Sequence, residues 1–220
     1  MEVEEKEEDR KEKYKETIII FDWDDTLFPC YYLQEKKYTL TTVLEDQPDW
    51  KEVKQELDKL EEILITLLKQ VVECGEVHII TNSEENWVSY SCMKFLPKVF
   101  PYLSRIKICS AQTTYKTIFP DSPYKWKYYA FHKILSKPTT STTTTSSKTV
   151  ISFGDSLIER NVTRTITSEW QNCYIKTIKF ADRPTITQLI KQLELIHICF
   201  LYIYTSLTNL DLQLTITEDS

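Results

Sequence analysis

Acidic and hydroxyl side chains stand directly after three of the apolar segments in this 220-residue sequence. Asp22 and Asp24 follow the first segment. Thr81 and Asn82 follow the second, and Asp155 follows the fourth. If these segments are parallel strands, their carboxyl ends meet at the edge where open α/β sheets bind ligands. Carboxylates gathered there repel one another unless a cation lies among them, and such oxygen ligands suit Mg²⁺ better than zinc. The pattern therefore predicts a magnesium site built from strand ends.

The elements that must position these residues are strands and helices in alternation. Five short runs are β-branched and continuously apolar, as in strands that are buried on both faces. These runs are 17–21, 77–80, 106–109, 150–153 and 174–178. Elsewhere apolar residues recur three and four positions apart, which is typical of amphipathic helices. The helical stretches are 50–74, 84–95, 125–135, 157–167 and 185–204. This alternation predicts an α/β fold with a doubly wound parallel sheet.

The domain organisation follows from changes in polarity along the chain. We expect one α/β domain over 17–206, preceded by a charged, solvated tail at 1–16 and followed by a C-terminal tail at 207–220. The run KPTTSTTTTSSK at 137–148 has low complexity and cannot build a core, so it predicts an exposed loop. Gly75, which follows the first long helical stretch, is predicted to cap the C-terminus of that helix.

The composition excludes several classes of function. Only two glycines occur, so the G-x-G-x-x-G fingerprint and the P-loop are both excluded. A formal net charge of −6 at pH 7 argues against nucleic acid as a partner. The six cysteines form no C-x-x-C pair, which argues against zinc and favours reduced thiols inside a cell. The most apolar stretch, 195–204, is short for a bilayer, and no signal peptide is visible at the N-terminus. We therefore expect a cytoplasmic protein with no membrane partner.

The order of these motifs resembles the haloacid dehalogenase (HAD) superfamily of aspartate-nucleophile phosphatases. That superfamily has D-x-D-x-T after its first strand, then a strand ending in T-N, then a lysine, then a strand ending in G-D. The resemblance runs from about residue 17 to residue 180. More narrowly, the runs FDWDDT, ITNSEENWV, FPDSPYKWKYYAF and SFGDS resemble a little-characterised group of HAD proteins from protists. Membership would imply a Rossmann-like core.

The resemblance assigns the catalytic chemistry to three aspartates. Asp22 would be the nucleophile, attacking phosphorus in line and forming an aspartyl-phosphate. Asp24 would act as general acid and then as general base. Mg²⁺ would be held by the Asp22 carboxylate, the main-chain carbonyl of Asp24 and Asp155, and would neutralise the anions that must approach one another. The implied activity is Mg²⁺-dependent hydrolysis of phosphate monoesters.

The remaining site residues also come from the resemblance. Thr81 and Asn82 would bind the phosphoryl group. A lysine would bind it as well, and we prefer Lys127, with Lys125 as the second choice. Glu159 would be an outer-shell partner of the metal, although aspartate is the commoner residue at that place in the family.

The substrate class is predicted from what the chain lacks. HAD enzymes that act on small metabolites usually carry a cap domain, and neither 28–49 nor 83–124 leaves room for a sizeable one. Asp25 also stands where many small-molecule phosphatases of the family have glycine. An open site with minimal or no cap favours a macromolecular substrate such as a phosphoprotein. The alternatives are a small-molecule phosphatase or nucleotidase, and a catalytically silent HAD-fold binding or scaffold protein.

Overall fold

In a computed structural model, which describes residues 17–136 and 148–216, strands and helices alternate along the chain. All six strands found there belong to one parallel sheet, flanked by helices. The predicted α/β class with a Rossmann-like, doubly wound sheet is therefore confirmed. The predicted charged tail at 1–16 and the Thr/Ser loop, apart from Lys148, lie outside the described residues.

The sheet places its first strand at the centre. Its strands are β1 (Thr17–Phe21), β2 (Glu76–Thr81), β3 (Lys107–Ser110), β4 (Lys148–Gly154), β5 (Cys173–Lys179) and β6 (Leu210–Gln213). Their order is β3-β2-β1-β4-β5-β6, with every neighbouring pair parallel. The winding direction reverses between β1 and β4. Open sheets bind ligands in the crevice at such a switch point, and the two predicted acids Asp22 and Asp155 follow these two strands.

Helices cover both faces of the sheet. They are α1 (Cys30–Glu35), α2 (Trp50–Val72), α3 (Trp87–Phe95), α4 (Ala111–Tyr115), α5 (Pro123–Leu135), α6 (Leu157–Thr167) and α7 (Ile186–Thr205). Helices α2 and α7 pack against each other and, with α3, cover one face. Helices α4, α5 and α6 cover the other face. Two 3-10 turns, Leu44–Asp46 and Phe100–Arg105, complete the connections.

The apolar continuity of β1 follows from burial on both faces. Ile19 and Phe21 enter the core under α2 and α7, while Ile20 enters the core under α5 and α6. All three side chains are fully buried, and each stabilises the fold by about 1.5–3 kcal/mol. The ring of Phe21 stacks on that of Phe153 in β4, with centroids 4.5 Å apart. The strand end that carries Asp22 is thus fixed from both sides.

The predicted C-terminal tail at 207–220 is wrong in its first half, because Leu210–Gln213 forms the edge strand β6. Asn209 accepts a hydrogen bond from the backbone N–H of Ile175. Asp211 accepts one from the Thr177 hydroxyl at 2.8 Å. The strand has four residues, three of them exposed. Its sequence therefore lacks the continuous apolar run that predicted the other strands.

The predicted role of Gly75 as a left-handed helix cap is also wrong. Helix α2 ends at Val72, Glu73 caps it in the right-handed region, and neither glycine has a positive φ. Gly75 is needed for a different reason, since a Cβ there would lie 2.4 Å from the carbonyl oxygen of Thr17. The close approach of the backbone at the start of β2 to that of β1 therefore requires a residue without a side chain.

We expect Gly75→Ala to lower the free energy of unfolding by about 1–3 kcal/mol, the usual cost of forcing an extra carbon into a packed place. The clash is with backbone, which cannot move aside as a flexible side chain would. Urea denaturation monitored by circular dichroism would measure the change. Glu73→Ala, which removes only an exposed ion pair with Arg105, is the control and should cost less than about 1 kcal/mol. Equal stability of Gly75→Ala and the wild type would contradict this explanation.

Helix α7 matches the helical stretch predicted at 185–204 and extends well beyond its most apolar part at 195–204. It has 20 residues with a mean hydropathy of 1.3 over its most apolar window, which is enough by length and composition to cross a bilayer. In the structure 39% of that window is buried inside the protein, chiefly where the helix packs on α2. Core helices of water-soluble proteins share these properties.

Candidate functional site

The segment after β1 is a tight turn that carries two of the predicted catalytic residues. The backbone N–H of Asp22 continues the pairing with β4 by donating to the carbonyl of Phe153 at 3.0 Å. The carbonyl of Trp23 then accepts from the N–H groups of Leu27 and Phe28 at 2.9 Å each, which folds the chain back on itself. Asp22 is 7% exposed, so its carboxylate is buried at the carboxyl end of β1.

Three carboxylates meet at the ends of β1 and β4. One oxygen each from Asp22, Asp155 and Glu159 lies within 4.8 Å of the others. The ammonium of Lys127 lies 2.7 Å from Asp22 Oδ2 and also forms a short ion pair with Glu159. The Lys127 side chain is only 3% exposed. One buried cation thus faces three acids, and the cluster holds more negative than positive charge when all of them are ionised.

The electrostatics of the cluster reflect this imbalance. Burial raises the pKa of Asp22 well above its usual range; Lys127 opposes the rise, and the nearby charges of Glu159 and Asp155 add to it. Burial and the charge of Glu159 raise the pKa of Asp155 to about 7. Burial alone would lower the pKa of Lys127. The charges of Asp22 and Glu159 outweigh burial and raise this pKa above its ordinary value, so the lysine is charged at neutral pH. The three acids could hold a metal ion, because a cation would relieve their repulsion.

Glu159 belongs to the same cluster as Asp22 and Asp155, and its predicted role as an outer-shell partner of the metal stays a prediction. The Ser156 hydroxyl caps helix α6 by accepting from the N–H of Ile158 and donates to Glu159 Oε2 at 2.6 Å. A Cβ at Gly154 would lie 2.5 Å from Glu159 Cγ and Oε2. Glycine at the end of β4 therefore makes the space into which the Glu159 side chain turns.

Asp24 lies in a second group of polar side chains at the end of β2. Its Oδ2 accepts from the hydroxyls of Ser83 at 2.6 Å and Thr81 at 3.2 Å. Its Oδ1 accepts from the indole N–H of Trp87 at 2.7 Å. Two predicted residues, Asp24 and Thr81, are thus in direct contact. The prediction that Asp24 binds a metal concerned its main-chain carbonyl, and it stays a prediction.

The two lysines considered for the site are separated by the geometry of α5. Positions 125 and 127 lie on opposite sides of a helix with 3.6 residues per turn. Lys127 points into the carboxylate cluster, whereas Lys125 is exposed and lies 5.3 Å above the ring of Phe119. Asn82 also contacts this helix, because its side-chain amide donates a hydrogen bond to the carbonyl of Pro123 at 3.2 Å. Phosphate binding by Lys127, Thr81 and Asn82 stays a prediction.

Three side chains that were not among the predicted site residues contact Asp24 or lie beside it. Ser83 is the third residue of the Thr-Asn-Ser run at the end of β2, and Trp87 follows four positions later as the first residue of α3. Trp87 also packs edge-on against Phe28, with ring centroids 6.0 Å apart. Cys30 at the start of α1 is the third; burial and the charge of Asp24 raise the pKa of its thiol. Their sequence signals are hydrophobic or generic, so pattern alone did not single them out.

Comparisons with models of protein families, with curated proteins and with solved structures found no match to this chain. The chemistry of the site is therefore inferred from its own residues. Those residues form two adjacent groups at the carboxyl ends of the central strands. One group is the buried cluster of Asp22, Asp155, Glu159 and Lys127, and the other surrounds Asp24.

Proposed function

We propose that this protein is a HAD-type, Mg²⁺-dependent phosphatase that hydrolyses phosphate monoesters through an aspartyl-phosphate on Asp22. The observation that carries the proposal is the buried cluster at the switch point of the sheet. There a carboxylate at the end of the central strand faces a buried ammonium group and two further acids. A second carboxylate, Asp24, stands two residues along the chain. This combination suits nucleophilic attack followed by hydrolysis.

In the first step, a carboxylate oxygen of Asp22 attacks phosphorus and the bond from phosphorus to the alcohol oxygen breaks. Asp24 donates a proton to the departing oxygen, so the alcohol leaves neutral. In the second step, Asp24 removes a proton from a water molecule that attacks the aspartyl-phosphate. Inorganic phosphate leaves, and the Asp22 carboxylate is restored. The ion pair with Lys127 favours the ionised form of Asp22, which is the form that can attack.

Asp22, Asp155 and Glu159 are the residues that would hold the metal. They fit a divalent cation because all three are oxygen ligands and the pKa values of two of them are raised in its absence. Bound Mg²⁺ supplies positive charge that offsets the carboxylates and the phosphoryl oxygens.

We expect the metal-free protein to lose stability as the pH rises through about 7. The pKa of Asp155 is raised from its ordinary value of 3.8 to about 7 in the folded state. The folded state therefore binds the extra proton, and its stabilising contribution is present at low pH and lost as the pH rises through about 7. Mg²⁺ at 100 times its Kd should restore about 2.7 kcal/mol, or roughly 5–10 °C in Tm. Thermal unfolding in EDTA and in MgCl₂ at pH 6 and pH 8 would measure both effects.

The variant Asp155→Asn should abolish most of the Mg²⁺ shift and flatten the pH dependence in EDTA. Asp58→Asn, on the partly exposed side of α2 where the carboxylate pairs with Lys54 and Lys98, is the matched control and should keep the wild-type response. An undiminished Mg²⁺ shift in Asp155→Asn would refute the proposed metal site.

The substrate we propose is a phosphorylated macromolecule such as a phosphoprotein. Two connections could carry a cap, and both form only short elements. The connection between β1 and α2 holds α1 and a 3-10 turn. The connection between β2 and α5 holds α3, a 3-10 turn, β3 and α4. A site without a large cap is open to solvent until a substrate covers it. The net charge of −6 disfavours a nucleic-acid substrate.

A phosphate-release screen tests the function directly. Phosphopeptides, nucleotides and sugar phosphates would each be incubated with the protein in MgCl₂ and in EDTA. Release that requires Mg²⁺ supports the phosphatase, and the preferred class separates a phosphoprotein phosphatase from a small-molecule phosphatase or nucleotidase. Mg²⁺ binding without release from any class would instead indicate a catalytically silent binding protein.

A further inference from the structure

The carboxylate of Asp24 is held by two kinds of hydrogen-bond donor. The hydroxyls of Ser83 and Thr81 both reach Oδ2, at 2.6 and 3.2 Å. The indole N–H of Trp87 reaches Oδ1 at 2.7 Å. A hydroxyl rotates about its C–O bond and can turn its proton to another acceptor, whereas an indole N–H points along a fixed direction of the ring. The two carboxylate oxygens are therefore held in different ways.

The ring of Trp87 is itself held in place by packing and by hydrogen bonds. It meets Phe28 edge-on, with centroids 6.0 Å apart and planes at 82°, and Phe28 is 1% exposed. Phe28 also stacks on Trp23 at 5.7 Å. The indole of Trp23 donates to Ser91 at 3.0 Å, and the Ser91 hydroxyl donates to the carbonyl of Trp87 at 2.7 Å. The catalytic turn and helix α3 are thus tied together by two indole N–H groups.

We propose that Trp87 is a positioning residue for Asp24. Its indole N–H fixes Oδ1 and so orients the whole carboxylate, while Oδ2 stays available for proton transfer once Ser83 and Thr81 turn their hydroxyls to a bound phosphoryl group. This inference rests on the proposed function, in which Asp24 is the general acid and base. It assigns to helix α3 the task of aiming the acid at the departing oxygen.

The consequence is a dependence on the leaving group. An alkyl phosphate expels a poor leaving group and needs the proton of Asp24, whereas nitrophenyl phosphate expels a stable anion and does not. The variant Trp87→Phe keeps the aromatic packing and removes the donor. Its kcat/KM, which reports the steps up to departure of the alcohol, should fall about 10- to 100-fold on an alkyl phosphate, because a misplaced acid loses most of its effect. On nitrophenyl phosphate the fall in kcat/KM should be less than about 3-fold, whereas kcat can fall on both esters because they share the second step.

Two controls separate positioning from a general structural role. Trp126→Phe is the same chemical change at an indole that donates to the carbonyl of Phe119 in the other core, and it should affect both esters equally and slightly. Adding Trp87→Phe to Asp24→Asn should cause no further loss on the alkyl phosphate, since Trp87 acts only through Asp24.

A measurement without turnover tests the contact itself. The side-chain N–H resonances of the five tryptophans can be assigned by single Trp→Phe substitutions. Asp24→Asn should shift the Trp87 resonance upfield and leave that of Trp126 in place. An unmoved Trp87 resonance, or an equal loss of kcat/KM on both esters in Trp87→Phe, would overturn the proposal. If the wild type hydrolysed no ester, the proposed function would fail, and the resonance would still decide whether Trp87 holds Asp24.

Discussion

The variant Asp22→Asn is expected to release phosphate at least about 10⁴-fold more slowly than the wild type, a loss typical of removing a nucleophile. The amide oxygen of asparagine is a poor nucleophile, so no covalent intermediate can form. Asparagine has the same shape and can still accept a hydrogen bond from Lys127, which lies 2.7 Å from Asp22 Oδ2. The fold should therefore survive, and circular dichroism would verify this. Phosphate release from nitrophenyl phosphate in MgCl₂ is the measurement.

The same chemistry predicts where a phosphoryl group is trapped. In Asp24→Asn, nitrophenyl phosphate should still phosphorylate Asp22, because its leaving group needs no acid. The second step lacks its base, so the phosphoenzyme should accumulate. Mass spectrometry of acid-quenched protein should find one added phosphoryl group on the peptide that contains Asp22. Turnover that persists in Asp22→Asn, or phosphorylation at another residue, would refute the proposed nucleophile.

The fold could be predicted from the sequence where burial is two-sided. The run at 17–21 is apolar throughout because alternate residues enter different cores, and its bounds match β1. The stretch 157–167 matches α6 for a similar reason, since its amphipathic period and the Ser156 cap both lie in the local sequence. Strand β6 could not be predicted, because it is held by β5 and by side-chain bonds to Asp211 rather than by its own apolar residues.

The site was predictable only as far as strand ends determine it. Asp22 and Asp155 meet because β1 and β4 are neighbours in the sheet, and strand alternation alone indicates that their ends share an edge. Glu159 reaches the cluster only because Gly154 has no side chain in the space that the Glu159 side chain occupies. That contact joins β4 to α6 in three dimensions, and the sequence pattern does not report it. Trp87 contacts Asp24 across 63 positions of the chain. No local pattern reports such a contact.

The variant Lys127→Met is expected to be less stable than the wild type by about 3–5 kcal/mol in EDTA, the usual cost of removing one partner from a buried ion pair. The ammonium is the cation that faces Asp22 and Glu159, and all three side chains are at most 9% exposed. Phosphate release should also fall by at least about 100-fold, because the attacking carboxylate loses its charged neighbour. Urea denaturation and the nitrophenyl phosphate assay would measure the two effects.

The loss of stability should depend on pH and on metal in a way that identifies its cause. Without Lys127 the acids bind protons more readily, so the deficit should be largest at high pH and shrink towards pH 5, where protonation removes the repulsion. Mg²⁺ should also reduce the deficit, since it supplies the missing positive charge to the same carboxylates. Lys125→Met is the control: this lysine is exposed above Phe119, and its loss should cost less than about 1 kcal/mol. If the loss of stability in Lys127→Met were the same at every pH and with or without Mg²⁺, the packing of the lysine side chain, and not its charge, would stabilise the cluster.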